Sequence, residues 1–157
     1  MAAGNTYVAL ATNTLSSTAT SVTFSSISGA YTDLVLVMTS NKFMTIRLNS
    51  DTGSNYSQTF LVGNGTTASS GRETSETKIY SPDALGALTY AQCNINLMNY
   101  SNTTTYKTIL TRDGGSSGTV AEVALWRSTA AITAIEISAA SAMAIGSSFS
   151  LYGILAA

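Results

Sequence analysis

Histidine is absent from this chain of 157 residues, and cysteine and proline each occur once. Without histidine the chain cannot form a Ser–His–Asp triad or a histidine metal site. A single cysteine cannot form a metal-binding cluster or a disulfide within the chain. Cys93 lies in an alternating run, so we interpret it as a small buried apolar side chain rather than as a reactive thiol.

Charged side chains are also scarce, with seven Lys and Arg against eight Asp and Glu, or 10% of the chain. The basic surface that binds nucleic acid is missing from such a composition. No apolar run reaches the roughly 18 residues of a membrane span. The first residues, Met1 to Tyr7, lack the Lys and Arg of a secretory signal. We therefore expect a protein that is made in a cytoplasm without an export peptide.

Small hydroxyl side chains take the place of charge, since serine and threonine together number 47. Hydroxyls and asparagine must then cover the exposed surface. Copies of a chain whose net charge is −1 repel one another weakly, and this favours association. The composition suits a protein that is part of an assembly.

Apolar residues recur at every second position along nearly the whole chain, as in Met44, Ile46 and Leu48. Leu34–Met38 is instead continuously apolar, which is typical of a strand covered on both faces. Turn residues separate these segments at intervals of roughly 8–14 residues, which predicts an all-β sandwich or barrel. The length suits a single domain over residues 1–157.

Four segments do not follow this alternation. Pro82–Thr89 and Ala139–Ile145 are the only stretches with helical character, and each is too short to anchor a fold. Thr66–Thr77 is polar and locally charged, and we interpret it as a long exposed loop. Met1–Asn13 is small, polar and nearly uncharged, which predicts an extended N-terminal arm.

Two segments resemble binding or catalytic motifs. Asn49–Asn55 has oxygen-bearing side chains at alternate positions, as a calcium loop does, but it lacks the further acids and the closing Glu of such a loop. A turn held by its own side chains is the better interpretation. Glu73 and Glu76 could act as paired carboxylates in glycoside hydrolysis, but their basic neighbours indicate a solvated run of charges.

Two further segments have structural explanations. The glycine-rich segment Gly114–Gly118 is not followed by the lysine of a phosphate loop, so we expect a hairpin there. The single tryptophan, Trp126, could stack on a partner together with Arg127, but its apolar neighbours favour a place in the core. No catalytic residue, metal site or cofactor is predicted.

Several phrases along the chain resemble a group of small tailed-bacteriophage virion proteins. The phrases are Tyr31–Leu36, Ile46–Tyr56, Tyr106–Ile109, Leu125–Thr133 and Gly146–Ile154. Proteins of this group have jelly-roll-like β domains that decorate capsids or form parts of tail fibres. The resemblance therefore implies an antiparallel β-sandwich of the jelly-roll type, for which we expect about eight to ten strands.

The resemblance implies a non-enzymatic structural role in a virion. Because the chain has no coiled-coil or collagen-like shaft, a capsid cement or decoration protein on the outer surface of the head is favoured. The alternative is a tail-fibre or receptor-binding domain that contacts cell-surface glycans.

The expected partners are the major capsid protein and further copies of the chain in a homotrimer, with neither nucleic acid nor membrane bound. The partner-binding candidates lie in the N-terminal arm and in the polar segment Thr66–Lys78. These candidates are Tyr7, Val8, Arg72, Glu73, Glu76 and Lys78.

Overall fold

The computed structural model of the chain describes residues 6–80, 91–115 and 118–155. In these segments every regular element is a strand, and no helix long and apolar enough to cross a membrane is found among them. Twelve strands follow one another along the described chain. They are β1 (Tyr7–Thr14), β2 (Ala19–Phe24), β3 (Asp33–Ser40), β4 (Thr45–Leu48), β5 (Tyr56–Gly63), β6 (Ala68–Glu76), β7 (Ile79–Tyr80), β8 (Ala91–Leu97), β9 (Lys107–Gly115), β10 (Gly118–Trp126), β11 (Ile135–Met143) and β12 (Ser148–Ile154).

The strands form two antiparallel sheets. The large sheet has eight strands in the order β1-β12-β3-β8-β9-β10-β5-β6, and the small sheet has four in the order β2-β11-β4-β7. Both sheets contribute side chains to one apolar core, so the fold is a β-sandwich, as predicted. The strand number exceeds the predicted eight to ten.

The alternation in the sequence becomes the alternation between the two faces of each strand. Leu34, Leu36 and Met38 of β3 lie in the core beside Ile95 and Leu97 of β8. The continuous run predicted to be covered on both faces forms β3, and Val35 on its other face is also buried. The core also contains Cys93 and Trp126, which confirms that both are buried.

The N-terminal segment does not form a free arm where the structure describes it. From Tyr7 onward it is β1, the edge strand of the large sheet, paired with β12 from Tyr7↔Ile154 to Thr14↔Ser148. Leu10 packs against the core. The described ends of the chain lie side by side, since the Leu155 amide donates to the Thr6 carbonyl at 3.0 Å. The expectation of an arm that avoids the chain's own fold is wrong for residues 7–13, because their backbone completes the β12 edge.

The polar segment predicted to be a loop, Thr66–Thr77, contains β6 and forms a hairpin with β5. Asn64 closes the hairpin by accepting hydrogen bonds from the Thr66 and Thr67 amides at 2.9 and 2.7 Å. Gly65, which lies between Asn64 and Thr66, has a φ of +84°, a left-handed conformation that glycine adopts without strain. The loop interpretation is wrong because an edge strand needs no apolar face when it is solvated on its outer side.

The expectation of a helix over Ala139–Ile145 is also wrong. Ala139–Met143 continues β11, whose residues Ile135–Ser138 pair with β2 and with β4. Met143 pairs with Ala19 of β2 after an irregularity, and this continued pairing outweighs the helix propensity of the alanines. The other candidate, Pro82–Thr89, lies outside the described residues.

Candidate functional site

The predicted partner-binding residues lie at the two opposite edges of the large sheet. Tyr7 and Val8 belong to β1, whereas Arg72, Glu73 and Glu76 belong to β6. Six strands separate these two edges. The structure therefore does not bring the predicted residues together into one site.

The β1 edge carries no charged side chain over Tyr7–Thr14. Tyr7 is 60% exposed, and its ring meets the edge of the Tyr152 ring at a centroid distance of 6.4 Å. An uncharged edge strand leaves backbone N–H and C=O groups open to pairing with another strand. This edge can therefore make main-chain contacts with a partner.

The β6 edge is charged and differs in kind. Arg72 is exposed on the strand, and Lys78, which follows β6, lies 5.1 Å from the centre of the Tyr80 ring. A shift of register interrupts the pairing of β6 with β5 between Tyr56 and Ser57. Charges and irregularities of this kind discourage edge-to-edge pairing of sheets.

A group of carboxylates that was not predicted lies on the inner face of the large sheet. Glu122 of β10 is only 3% exposed, and neither of its carboxylate oxygens has a hydrogen-bond partner among the described residues. Burial raises the pKa of Glu122 to about 8, and the negative charges of Asp113 and Glu73 add to this effect. Glu122 thus lies within reach of the charges of both Asp113 and Glu73, a grouping that depends on strand register and is not visible in the sequence.

The surroundings of Glu122 limit what these carboxylates can do. The cavity that Glu122 lines together with Thr111, Met38 and Cys93 has a volume of about 10 Å³. One water molecule needs about that much room, and a sugar ring needs far more. No metal-binding group of three or more acids, Cys or His is present in the described part of the chain. Burial, followed by the charge of Asp113, also raises the pKa of the Cys93 thiol.

The Asn49–Asn55 turn is held by its own side chains, as the sequence predicts. The Asp51 carboxylate accepts hydrogen bonds from the Gly53 amide at 2.8 Å, from Asn55 Nδ2 at 2.9 Å and from Trp126 Nε1 at 2.7 Å. Burial alone would raise the pKa of Asp51, but these hydrogen bonds outweigh burial and leave the pKa lowered. The turn thereby ties the Trp126 ring, which stacks on Tyr56 in the core, to the loop after β4.

The most exposed apolar surface lies on the outer face of the large sheet. Of the eight large apolar side chains that are exposed among the described residues, four lie here: Leu61, Met98, Leu110 and Val123. We call these four residues together with Ala121 the outer patch. They line an open groove of about 670 Å³. The sequence contains the signal, because these residues alternate with inward-facing ones, but only strand order places them side by side.

A second open groove lies toward the other end of the same sheet. It has a volume of about 610 Å³ and is lined by Thr39, Gln92, Asn94, Arg112 and the Asp113–Gly115 segment. Unlike the outer patch, its side chains are polar. Amide and guanidinium groups of this kind can hydrogen-bond to hydroxyl-rich ligands.

Comparison with known proteins does not identify a family. No family model matches the chain, and no curated protein matches it. Among solved structures, the chain is similar to the exo-inulinase of Aspergillus awamori, with a TM-score of 0.40 and 11% identity over 96% of this chain. The chain spans 29% of the length of that enzyme. A likeness of this size does not assign a function.

Proposed function

We propose that this chain is a non-enzymatic structural protein of a bacteriophage virion, a cement or decoration protein that binds the assembled head and stabilises it. The observation that carries the proposal is the β1 edge, an uncharged edge strand of a protein with few charges. Such a strand leaves backbone N–H and C=O groups open to pairing with another protein. The resemblance of the sequence phrases to phage virion proteins supplies the virion context.

The major capsid protein is the proposed partner, and the outer surface of the head is the proposed location. A protein that binds across neighbouring capsid subunits stabilises only the assembled shell, because binding to one state shifts the equilibrium toward that state. With 15 charged residues in the chain, this binding rests on apolar contacts and on hydrogen bonds from hydroxyl and backbone groups. We propose a homotrimer on the head, the arrangement expected at threefold positions of a capsid lattice.

The strand order supports the jelly-roll interpretation of this sandwich. The strands β1-β12-β3-β8 lie side by side in the large sheet, and β2-β11-β4-β7 form the small one. The chain crosses from one sheet to the other between β1 and β2, between β3 and β4, between β7 and β8, and between β11 and β12. Two antiparallel sheets connected in this way are expected of a jelly roll, with the hairpins β5-β6 and β9-β10 added to the large sheet.

The non-enzymatic role is supported by the position of the carboxylates. Glycoside hydrolysis needs two carboxyl groups on either side of a bound sugar. Here both carboxylate oxygens of Glu122 are buried, and the cavity beside them has a volume of about 10 Å³, so a sugar could contact them only if the surrounding strands moved.

The test compares virions with and without the protein during heating, at low and at high salt. We expect virions that lack it to lose their DNA at a lower temperature, and we expect binding to weaken only slightly as salt rises. Equal heat stability of the two particles would end the cement role. A copy number of about a dozen or fewer per virion would instead indicate a tail component.

A tail-fibre or receptor-binding domain that contacts glycans is the second candidate. The polar groove around Gln92, Asn94 and Arg112 favours it, since these side chains suit sugar hydroxyls. The test is calorimetric titration with host cell-surface oligosaccharides. Binding that is lost in Asn94→Ala, with retained fold, would favour this function over decoration of the head.

A further inference from the structure

The outer patch is continuous across neighbouring strands. Leu61 of β5 lies opposite Ala121 of β10, and Val123 of β10 lies opposite Leu110 of β9. Leu61 is 62% exposed and Val123 is 50% exposed. Side chains directly opposite one another on one face of an antiparallel pair are in contact distance, so these residues form one surface rather than scattered points.

The two ends of the outer patch carry opposite charges. Arg112 lies opposite Ala121 at one end. Asp33 lies at the Met98 end, where its carboxylate accepts a hydrogen bond from the Asn99 amide at 2.6 Å. Both charged residues line the groove of the outer patch. The patch thus has an apolar centre and a charged residue of each sign at its rim, which is the composition of protein–protein interfaces.

The outer face is large enough for a stable interface. Eight strands spaced about 4.8 Å apart and about eight residues long give a sheet face of roughly 1,000 Å². A specific interface of ordinary size buries about 800 Å² on each partner. An interface of that size would therefore include strands beside the outer patch as well as the patch itself.

We propose that copies of this chain associate with one another through the outer patch. A second copy fits this surface because the acidic end of one patch complements the basic end of another. Copies of net charge −1 also repel one another weakly. The proposal concerns the isolated protein, and its test is independent of the virion role.

The first experiment measures mass by light scattering across a range of protein concentrations. The wild-type chain is compared with Leu61→Glu and with a matched control, Ile145→Glu, whose side chain is 60% exposed but lies outside the patch. We expect Leu61→Glu to raise the dissociation constant of the assembly by at least about tenfold. The control keeps the wild-type assembly, and circular dichroism checks that both variants are folded.

The second experiment tests the pairing of charges between copies. Arg112→Asp and Asp33→Arg each place like charges at both ends of the patch, so each variant alone associates weakly. Mixing the two variants restores association, because each end then meets an opposite charge on the other variant. Mixing would not restore association if each substitution only disturbed its own fold.

Each outcome of the light-scattering experiment either supports or overturns the proposed self-association. A mass of two copies that Leu61→Glu lowers and Ile145→Glu preserves supports the proposal, because two facing patches pair two copies. A monomeric wild-type chain at about 100 µM would overturn it, as would an assembly that Leu61→Glu leaves unchanged. An assembly that only Ile145→Glu disrupts would place the interface elsewhere and would overturn it too.

Discussion

The two halves of the large sheet distribute their side chains in opposite ways. In the half made of β1, β12, β3 and β8, the inner face carries apolar residues such as Leu36, Ile95 and Phe149. In the half made of β9, β10, β5 and β6, the inner face carries Asp113, Glu122 and other buried polar groups beside fewer core residues, such as Ile109 and Trp126. Its outer face carries Leu61, Leu110, Ala121 and Val123 of the outer patch, whereas Met98 follows β8.

This difference follows from the widths of the two sheets. Four strands in the small sheet face eight in the large one. The hairpins β9-β10 and β5-β6 have a separate small apolar cluster, in which Val120 packs with Phe43, Phe60 and Val62. We infer that polar groups are tolerated on the inner face of the half made of β9, β10, β5 and β6 because this half contributes fewer residues to the main core. Most core residues of the large sheet then lie in one half, and most of the outer patch lies in the other.

The largest expected effect comes from truncating one leucine in each half. Leu36→Ala removes a fully buried side chain and should lower the free energy of unfolding by about 4 kcal/mol. Leu61→Ala removes an exposed side chain and should change the free energy of the monomer by less than about 0.5 kcal/mol. Urea unfolding at a dilution where the chain is monomeric measures both. Similar losses in the two variants would contradict the burial of Leu36 and the exposure of Leu61.

The next effect is a dependence of stability on pH that arises from Glu122 of β10. The pKa of Glu122 is about 8 in the folded chain against an ordinary value of 4.5, so the folded chain holds one more proton between these values. The free energy of unfolding therefore falls as pH rises from about 5 to 8. Each pKa unit corresponds to about 1.4 kcal/mol, which gives a loss on the order of 3 kcal/mol.

Glu122→Gln provides the check on this dependence, because the amide keeps the shape of the side chain and cannot ionise. Unfolding midpoints measured from pH 5 to 8 should fall for the wild-type chain and stay nearly level for the variant. Glu136→Gln is the matched control, since Glu136 is in the small sheet and bonds to Arg47 at 3.2 Å. A control that also lost the pH dependence would assign it to another group.

A smaller effect is expected at the turn that reaches from β4 to Trp126. Asp51→Ala removes the acceptor of three hydrogen bonds and leaves the buried Trp126 Nε1 donor without its partner. The expected loss is about 2 kcal/mol. The pKa of Asp51 is lowered, so this contribution is present above its ordinary value of 3.8 and is lost as pH falls through the lowered pKa. Unfolding curves at pH 7 and at pH 2 should therefore differ for the wild-type chain but much less for the variant.

The smallest expected effect is at the β1 edge. Tyr7→Ala should cost less than about 1 kcal/mol of stability, because the ring is exposed and only its edge contact with Tyr152 is lost. If this edge binds the head, the same variant should weaken head binding measured by co-sedimentation. Arg72→Ala at the charged edge is the control. Deletion of the whole segment is a poorer test, because it would leave one side of β12 unpaired.

The sequence predicts the β class because burial alternates along nearly every strand. Cys93 and Trp126 are correctly placed in the core for the same reason, and the Asn49–Asn55 turn is correctly assigned from its side-chain oxygens. The predictions fail where pairing rather than pattern decides the structure. The polar residues of β6 and the alanines of β11 show no alternation that marks a strand, and only their neighbours make them strands.

The candidate site is predicted less well than the fold, since it depends on which strands are neighbours. Leu61 and Val123 are more than sixty residues apart in the chain and become neighbours only through the pairing of β5 with β10. The grouping of Glu73 with Glu122 arises in the same way. Periodicity identifies which face a residue occupies, but not which residues share that face.

The adjacency of the two described ends has a mechanical consequence. Thr6 and Leu155 lie at the same end of the antiparallel pair β1 and β12, where they share a hydrogen bond. A force that separates these two points loads the inter-strand hydrogen bonds one after another, because the bonds lie perpendicular to the strands. The seam should therefore open like a zipper at low force, which pulling through Thr6→Cys and Leu155→Cys handles would measure. A chain held by its sheet face would therefore resist force better than one held by these two ends.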